Sequence, residues 1–180
     1  MSTDTRLERS IEELEAANGE LLAFLDTLTD EQWRTGRSKE GWPVCALGYH
    51  IADGYRLHLL WIEYLRRGQE VPGSPEELDQ ANARTAEDAA GFSLRTARRA
   101  VETGGRLLVA YLRGLRSEEI DRSAPHGPLG GKEVSVADML EITPWHVREH
   151  LSSLRSCLAG SWSPDVASWW SGRLHGREGG

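Results

Sequence analysis

The sequence predicts an all-α fold: a four-helix bundle with a long crossover between its second and third helices. Three observations predict it. Four segments repeat apolar residues at steps of three and four, the signature of a helix with one buried face. One connection, residues 69–92, is long enough to carry the chain from one end of a bundle to the other. No segment shows the apolar–polar alternation of a half-buried strand. The 180 residues, 39% of them hydrophobic, suit one compact core.

The first helix is expected from about Asp4 to Leu28. Leu7, Ile11, Leu14, Leu21, Leu25 and Leu28 form its seam, and Asn18 interrupts that seam. A polar residue there either fixes the packing register or lines a site. LTDEQW follows as a helix stop and a short acidic turn. The second helix opens at SKEGWP, with Pro43 in the first turn, where a missing N–H is harmless. It runs to Gly68 and turns Leu47, His50, Gly54, Leu57 and Trp61 inward. Gly54 stands one turn beyond His50 and leaves room beside the imidazole for a helix or a ligand.

VPGSPEE then reads as a turn, and ELDQANARTAEDAAG as polar and partly helical. The third helix spans roughly Ser93 to Leu115. Gly104 and Gly105 weaken it by about 1 kcal/mol each relative to Ala. Close packing or a bend is the expected compensation. DRSAPHGPLGGKEVS, rich in Gly and Pro, reads as a loop. The fourth helix is expected from about Ser135 to Leu158, with a kink or lost hydrogen bonding near Leu140 to Thr143 because Pro144 lies inside it. Residues 1–160 thus form the bundle. Residues 161–180 form a Trp-rich tail whose end is expected to be disordered. Trp162, Trp169 and Trp170 in that tail suit a homodimer contact, the closure of a bundle end, or the roof of a pocket.

The net charge of −7 argues against a nucleic-acid partner, although 19 of the 21 basic residues are Arg. No run of about 18 apolar residues exists, so no membrane span is expected. The N-terminus lacks a signal-peptide pattern, and Cys45 and Cys157 are far apart and suggest no disulfide. A cytoplasmic location follows as the expectation.

The chemistry concentrates in WHVREH. His146 and His150 are four apart on the fourth helix. Such residues differ by about 40° in direction and about 6 Å in height, so their rings can converge on one ion. They continue the inward line of Met139, Thr143 and Leu154. Inward imidazoles need partners, because an unpaired buried polar group is costly. His50 offers a third nitrogen from the second helix. Three nitrogens from two helices make a divalent-metal site with open positions, and zinc, nickel or iron would each accept them. The alternative for His50 alone is a hydrogen-bonded core histidine. His58, His126 and His175 are poorer candidates; His58 lies about 12 Å along the helix from His50. Asp53, one turn after His50, either orients a ring or pairs with Arg56. The sequence contains no Gly-rich phosphate loop, GxSxG, HExxH or Cys/His nucleophile pair.

Over about residues 5–158 the sequence resembles the DinB/YfiT-like superfamily of four-helix bundles. The resemblance rests on GWPVCALGYHIAD, on the 96 residues from His50 to His146, and on WHVREH. It implies a metal bound by one histidine of the second helix and an HxxxH of the fourth, and His50, His146 and His150 fall on those positions. ANAR, residues 81–84, is similar to the segment before the third helix in thiol-dependent relatives. Pro144 departs from the pattern. The resemblance implies metal-dependent transfer of a low-molecular-weight thiol, mycothiol, bacillithiol or glutathione, to a small electrophile. Metal-assisted hydrolysis by a self-resistance protein is the alternative. A non-catalytic binding or stress-associated module is a third. Asn18, Arg84 and Arg148 are candidates for polar or anionic parts of a small-molecule substrate.

Overall fold

The computed structural model describes residues 4–37 and 42–158. The Trp-rich tail and its three tryptophans lie outside the described residues. Among the described residues six α-helices are present: α1 (Thr5–Leu25), α2 (Asp30–Thr35), α3 (Val44–Arg66), α4 (Pro75–Asp88), α5 (Leu94–Leu112) and α6 (Val136–Leu158). Four of them, α1, α3, α5 and α6, make the bundle. In it α1 and α3 each pack against both α5 and α6.

α1, α4 and α5 each begin where the sequence supplies a side-chain cap. The Asp4 side chain accepts from the Arg6 amide, the Ser74 hydroxyl from the Glu77 amide, and the Ser93 hydroxyl from the Thr96 amide. Side-chain oxygens of this kind satisfy amides that have no helical partner. Pro75 occupies the first turn of α4. At the other end of α3, Gly68 takes the left-handed φ of +65° that turns the chain away. The seam of α1 is buried as its spacing predicts, with Leu14, Leu21 and Leu25 fully enclosed.

Close packing is what compensates Gly104 and Gly105. A Cβ on Gly104 would stand 2.9 Å from the Tyr55 ring, and one on Gly105 would stand 2.6 Å from Asn18 Nδ2. The two glycines therefore let α5 approach α3 and α1 together. Asn18 accepts a hydrogen bond from the Tyr55 hydroxyl at 2.9 Å at this crossing.

Two segments differ from expectation. The acidic turn after α1 is the short helix α2, closed by a capping box between Thr29 and Gln32. Its Trp33 is buried and donates from Nε1 to the Phe92 carbonyl at 2.8 Å. The Gly/Pro-rich segment before α6 is not a plain loop. It forms an antiparallel hairpin of β1 (Ser123–His126) and β2 (Lys132–Ser135), in register Ser123↔Ser135 through His126↔Lys132. Strands of four residues are too short to show alternation, and Pro125 masks the pattern further. Gly130 and Gly131, at φ +75° and +73°, turn the chain between them. Val71 ties the α3–α4 connection to this hairpin, donating to Pro125 and accepting from Gly127, each at 2.9 Å. α6 runs unbroken through Pro144. Among the described residues, no helix is long and apolar enough to cross a membrane.

Candidate metal centre

α3 and α6 are neighbours in the bundle, and their packing brings His50 to His146 and His150. His146 Nε2 lies 3.2 Å from His50 Nε2 and 3.1 Å from His150 Nε2. One ligating atom from each of the three lies within 4.8 Å of the other two. Imidazole nitrogens held about 2.0–2.1 Å from one tetrahedral ion stand about 3.3 Å apart. The donor set and its spacing therefore fit a divalent metal. The rings meet nearly edge to face: 87° between His146 and His150, and 88° between His50 and His150.

For the two α6 histidines the electrostatics agree with ligands that stay neutral. Burial, then the neighbouring His150, His58 and His50, hold His146 well below the usual imidazole range. Burial, then His50 and His58, lower His150 to about 3. Neutral rings keep the lone pairs that a metal requires. His150 Nδ1 is buried without a hydrogen-bond partner. Its Nε2 is thus the one nitrogen of that ring engaged with other groups.

The cluster forms the floor of a cavity of about 660 Å³. Trp42, Leu47, Leu57, Trp61, Pro128 and Leu129 supply much of its apolar wall. α3 and α6 provide the histidines, α4 provides Leu78 and Asn82, and the hairpin closes the side with Leu129 and Lys132. Gly54 belongs to this floor as expected: a Cβ there would stand 3.0 Å from His146 Cε1.

The other expected site residues fall elsewhere. Asp53 pairs with Arg56, Nε to Oδ1 3.1 Å, and does not line the cavity. Asn18 sits at the α1–α3–α5 crossing. Arg84 is exposed on α4. Arg148 points away from the cluster toward Glu13 of α1, at 3.4 Å.

Two histidines set aside as metal ligands, His58 and His126, lie outside the three-histidine cluster but are buried. His58 lines the cavity, its ring 5.0 Å from that of His146. His50, Gly54 and His58 step by four along α3, which places His58 on the same stripe but leaves its entry into the cavity to the crossing of α6. His126 is fully buried against Trp61, ring centroids 4.6 Å apart.

The model of the DinB superfamily matches residues 13–154. The chain belongs to the DinB superfamily. Its fold is also that of several solved structures. YfiT from Bacillus subtilis, described as a probable metal-dependent hydrolase with an unusual four-helix bundle topology, superposes with a TM-score of 0.72 at 19% identity, covering 90% of this chain and 92% of that one. A mycothiol-dependent maleylpyruvate isomerase gives 0.70 at 19% identity, over 86% of this chain but 63% of that one. An uncharacterised protein from Clostridium difficile 630 gives 0.67 at 13% identity, over 86% and 96%. At these identities the likeness establishes the fold. Among curated proteins, no sequence matches. This DinB-superfamily chain thus joins an all-α bundle to a three-histidine cluster consistent with divalent-metal binding.

Proposed function

We propose that this chain is a metal-dependent enzyme that transfers a low-molecular-weight thiol to a small electrophile, with His50, His146 and His150 as the metal ligands. One observation carries the reading: three imidazoles converge at the floor of an open, largely apolar cavity. A divalent ion bound there, zinc, nickel or iron, supplies Lewis acidity that lowers the pKa of a thiol or of water. The apolar walls exclude bulk water and receive the electrophile's carbon skeleton. Cys45 is buried in the core and does not line the cavity. That placement favours a nucleophile brought in as a co-substrate, as in the mycothiol-dependent relative. Hydrolysis is the second reading, favoured by the description of YfiT.

The supporting experiment measures metal by plasma mass spectrometry in the untagged protein and in His50→Ala, His146→Ala and His150→Ala. About one ion per chain, lost in each variant, is the expected result. No metal in the wild type after exposure to zinc, nickel and iron would overturn the reading. Turnover of reactive electrophiles with and without added thiol then separates transfer from hydrolysis. The acidic net charge and the cavity's size support a small-molecule substrate over nucleic acid. A cytoplasmic homodimer is part of the same proposal, and gel filtration with light scattering tests the dimer.

A further inference from the structure

A fourth imidazole faces the cavity beside the three that converge. The Nδ1 of His58 lies 3.1 Å from Thr143 Oγ1. The Thr143 hydroxyl has one hydrogen, and its oxygen lies 2.7 Å from the Met139 carbonyl. A carbonyl can only accept, so that hydrogen is committed to Met139. Thr143 Oγ1 therefore meets His58 with a lone pair, and Nδ1 must be the donor. Burial among Trp61, His146 and the core keeps the ring neutral, with a single proton. Nε2 is then a bare acceptor.

That nitrogen has no hydrogen-bond partner among the described residues, yet it is not sealed in. Three ring nitrogens are fully enclosed without partners: Nδ1 and Nε2 of His126 and Nδ1 of His150. His58 Nε2 is not among them, and His58 lines the cavity. Thr143 is itself held by the helical turn that leads to His146, so the acceptor is fixed relative to the metal centre.

We propose that His58 is a ligand-binding residue whose Nε2 selects small apolar molecules bearing an O–H, N–H or S–H donor. This deepens the proposed function by naming a feature of its substrate, and it rests on the cavity being the substrate site. It does not require a bound metal, which keeps its failure distinct from failure of the metal reading.

The test uses the full-length, ¹⁵N-labelled protein, before and after zinc loading. Long-range ¹H–¹⁵N spectra read the His58 tautomer, with the signal assigned by its absence from His58→Gln. Nδ1 protonated and Nε2 bare is the expected state in both samples. Phenol and toluene, alike in size and differing in the donor, are then titrated into the metal-free protein. Phenol is expected to bind about three- to tenfold more tightly, the range of one buried hydrogen bond, and to shift the Nε2 resonance. In His58→Phe the preference is expected to vanish. A protonated Nε2, or phenol held no more tightly than toluene by the wild type, overturns the proposal, and the second observation does not depend on a variant folding.

Discussion

Gly54→Ala adds one methyl group beside His146, and its two effects oppose each other. The new Cβ would lie 3.0 Å from His146 Cε1 and 3.6 Å from Nδ1. Carbon atoms in comfortable contact stand about 3.5–4.0 Å apart, so the ring must retreat by a few tenths of an ångström. It has little freedom to do so, with His50 and His150 against its Nε2 at 3.2 and 3.1 Å. Metal–ligand distances tolerate about 0.2 Å, and a working site about 0.5 Å. Zinc affinity is therefore expected to fall at least about tenfold. Helix propensity works the other way, favouring Ala over Gly by about 1 kcal/mol. The metal-free protein should then unfold within about 1 kcal/mol of wild type. Competition with a chromophoric chelator reads the affinity, and urea unfolding reads the stability. Gly19→Ala is the control, since nothing lies within 4 Å of a Cβ there. It should leave zinc binding unchanged. Wild-type zinc affinity in Gly54→Ala would refute the argument that this glycine makes room for the ligand ring.

Three further outcomes are expected. Tyr55→Phe removes the donor to Asn18 Oδ1 and should cost about 1 kcal/mol in urea unfolding without changing metal content; a loss of metal would instead place Asn18 in the site. Glu119 is buried and accepts from the Arg116 amide at 2.8 Å, with Arg66 and Arg116 guanidinium groups at 3.1 and 3.2 Å. These contacts, the amide foremost, hold its carboxyl well down, at about 2. Glu119→Ala should destabilise by about 2 kcal/mol, below the full loss for a buried pair because both arginines reach solvent. The third concerns acid. Burial lowers His126 to about 4. The unfolded chain takes up its proton near pH 6.5, but the folded chain does so only near 4. Stability attached to this neutral ring is thus full above about pH 6.5 and falls as pH drops toward 4, by about 2 kcal/mol at pH 5. His126→Phe should lessen the drop in urea midpoint between pH 8 and pH 5; an unchanged drop would show that His126 is not its source.

The bundle was legible because burial repeats with the helical period over long segments. Leu7 through Leu25 on α1 and Met139 through Leu154 on α6 each offer several turns of agreement. The cluster was legible for the same reason, since an inward-facing stripe that carries imidazoles is conspicuous among leucines. What stayed hidden depends on contacts between elements. The hairpin is defined by β1 meeting β2 and Val71, over four residues a side, and nothing periodic announces it. His58 enters the cavity because α6 crosses α3 where it does, a placement that spacing along α3 alone leaves open. Arg84 and Arg148 were drawn in by charge, but guanidinium groups are easily solvated, and both lie on outer faces of their helices.

The two sides of the histidine cluster come from distant parts of the chain. His50 belongs to the second bundle helix in sequence order, whereas His146 and His150, 96 and 100 residues beyond, belong to the last described one. Closing a loop of that length carries an entropic cost that the packing of α6 on α1 and α3 offsets. An ion that requires all three rings can therefore be held only by a molecule in which α6 has docked on α3. Metal occupancy would then serve as a proofreading mark, separating molecules with α6 docked from those without it.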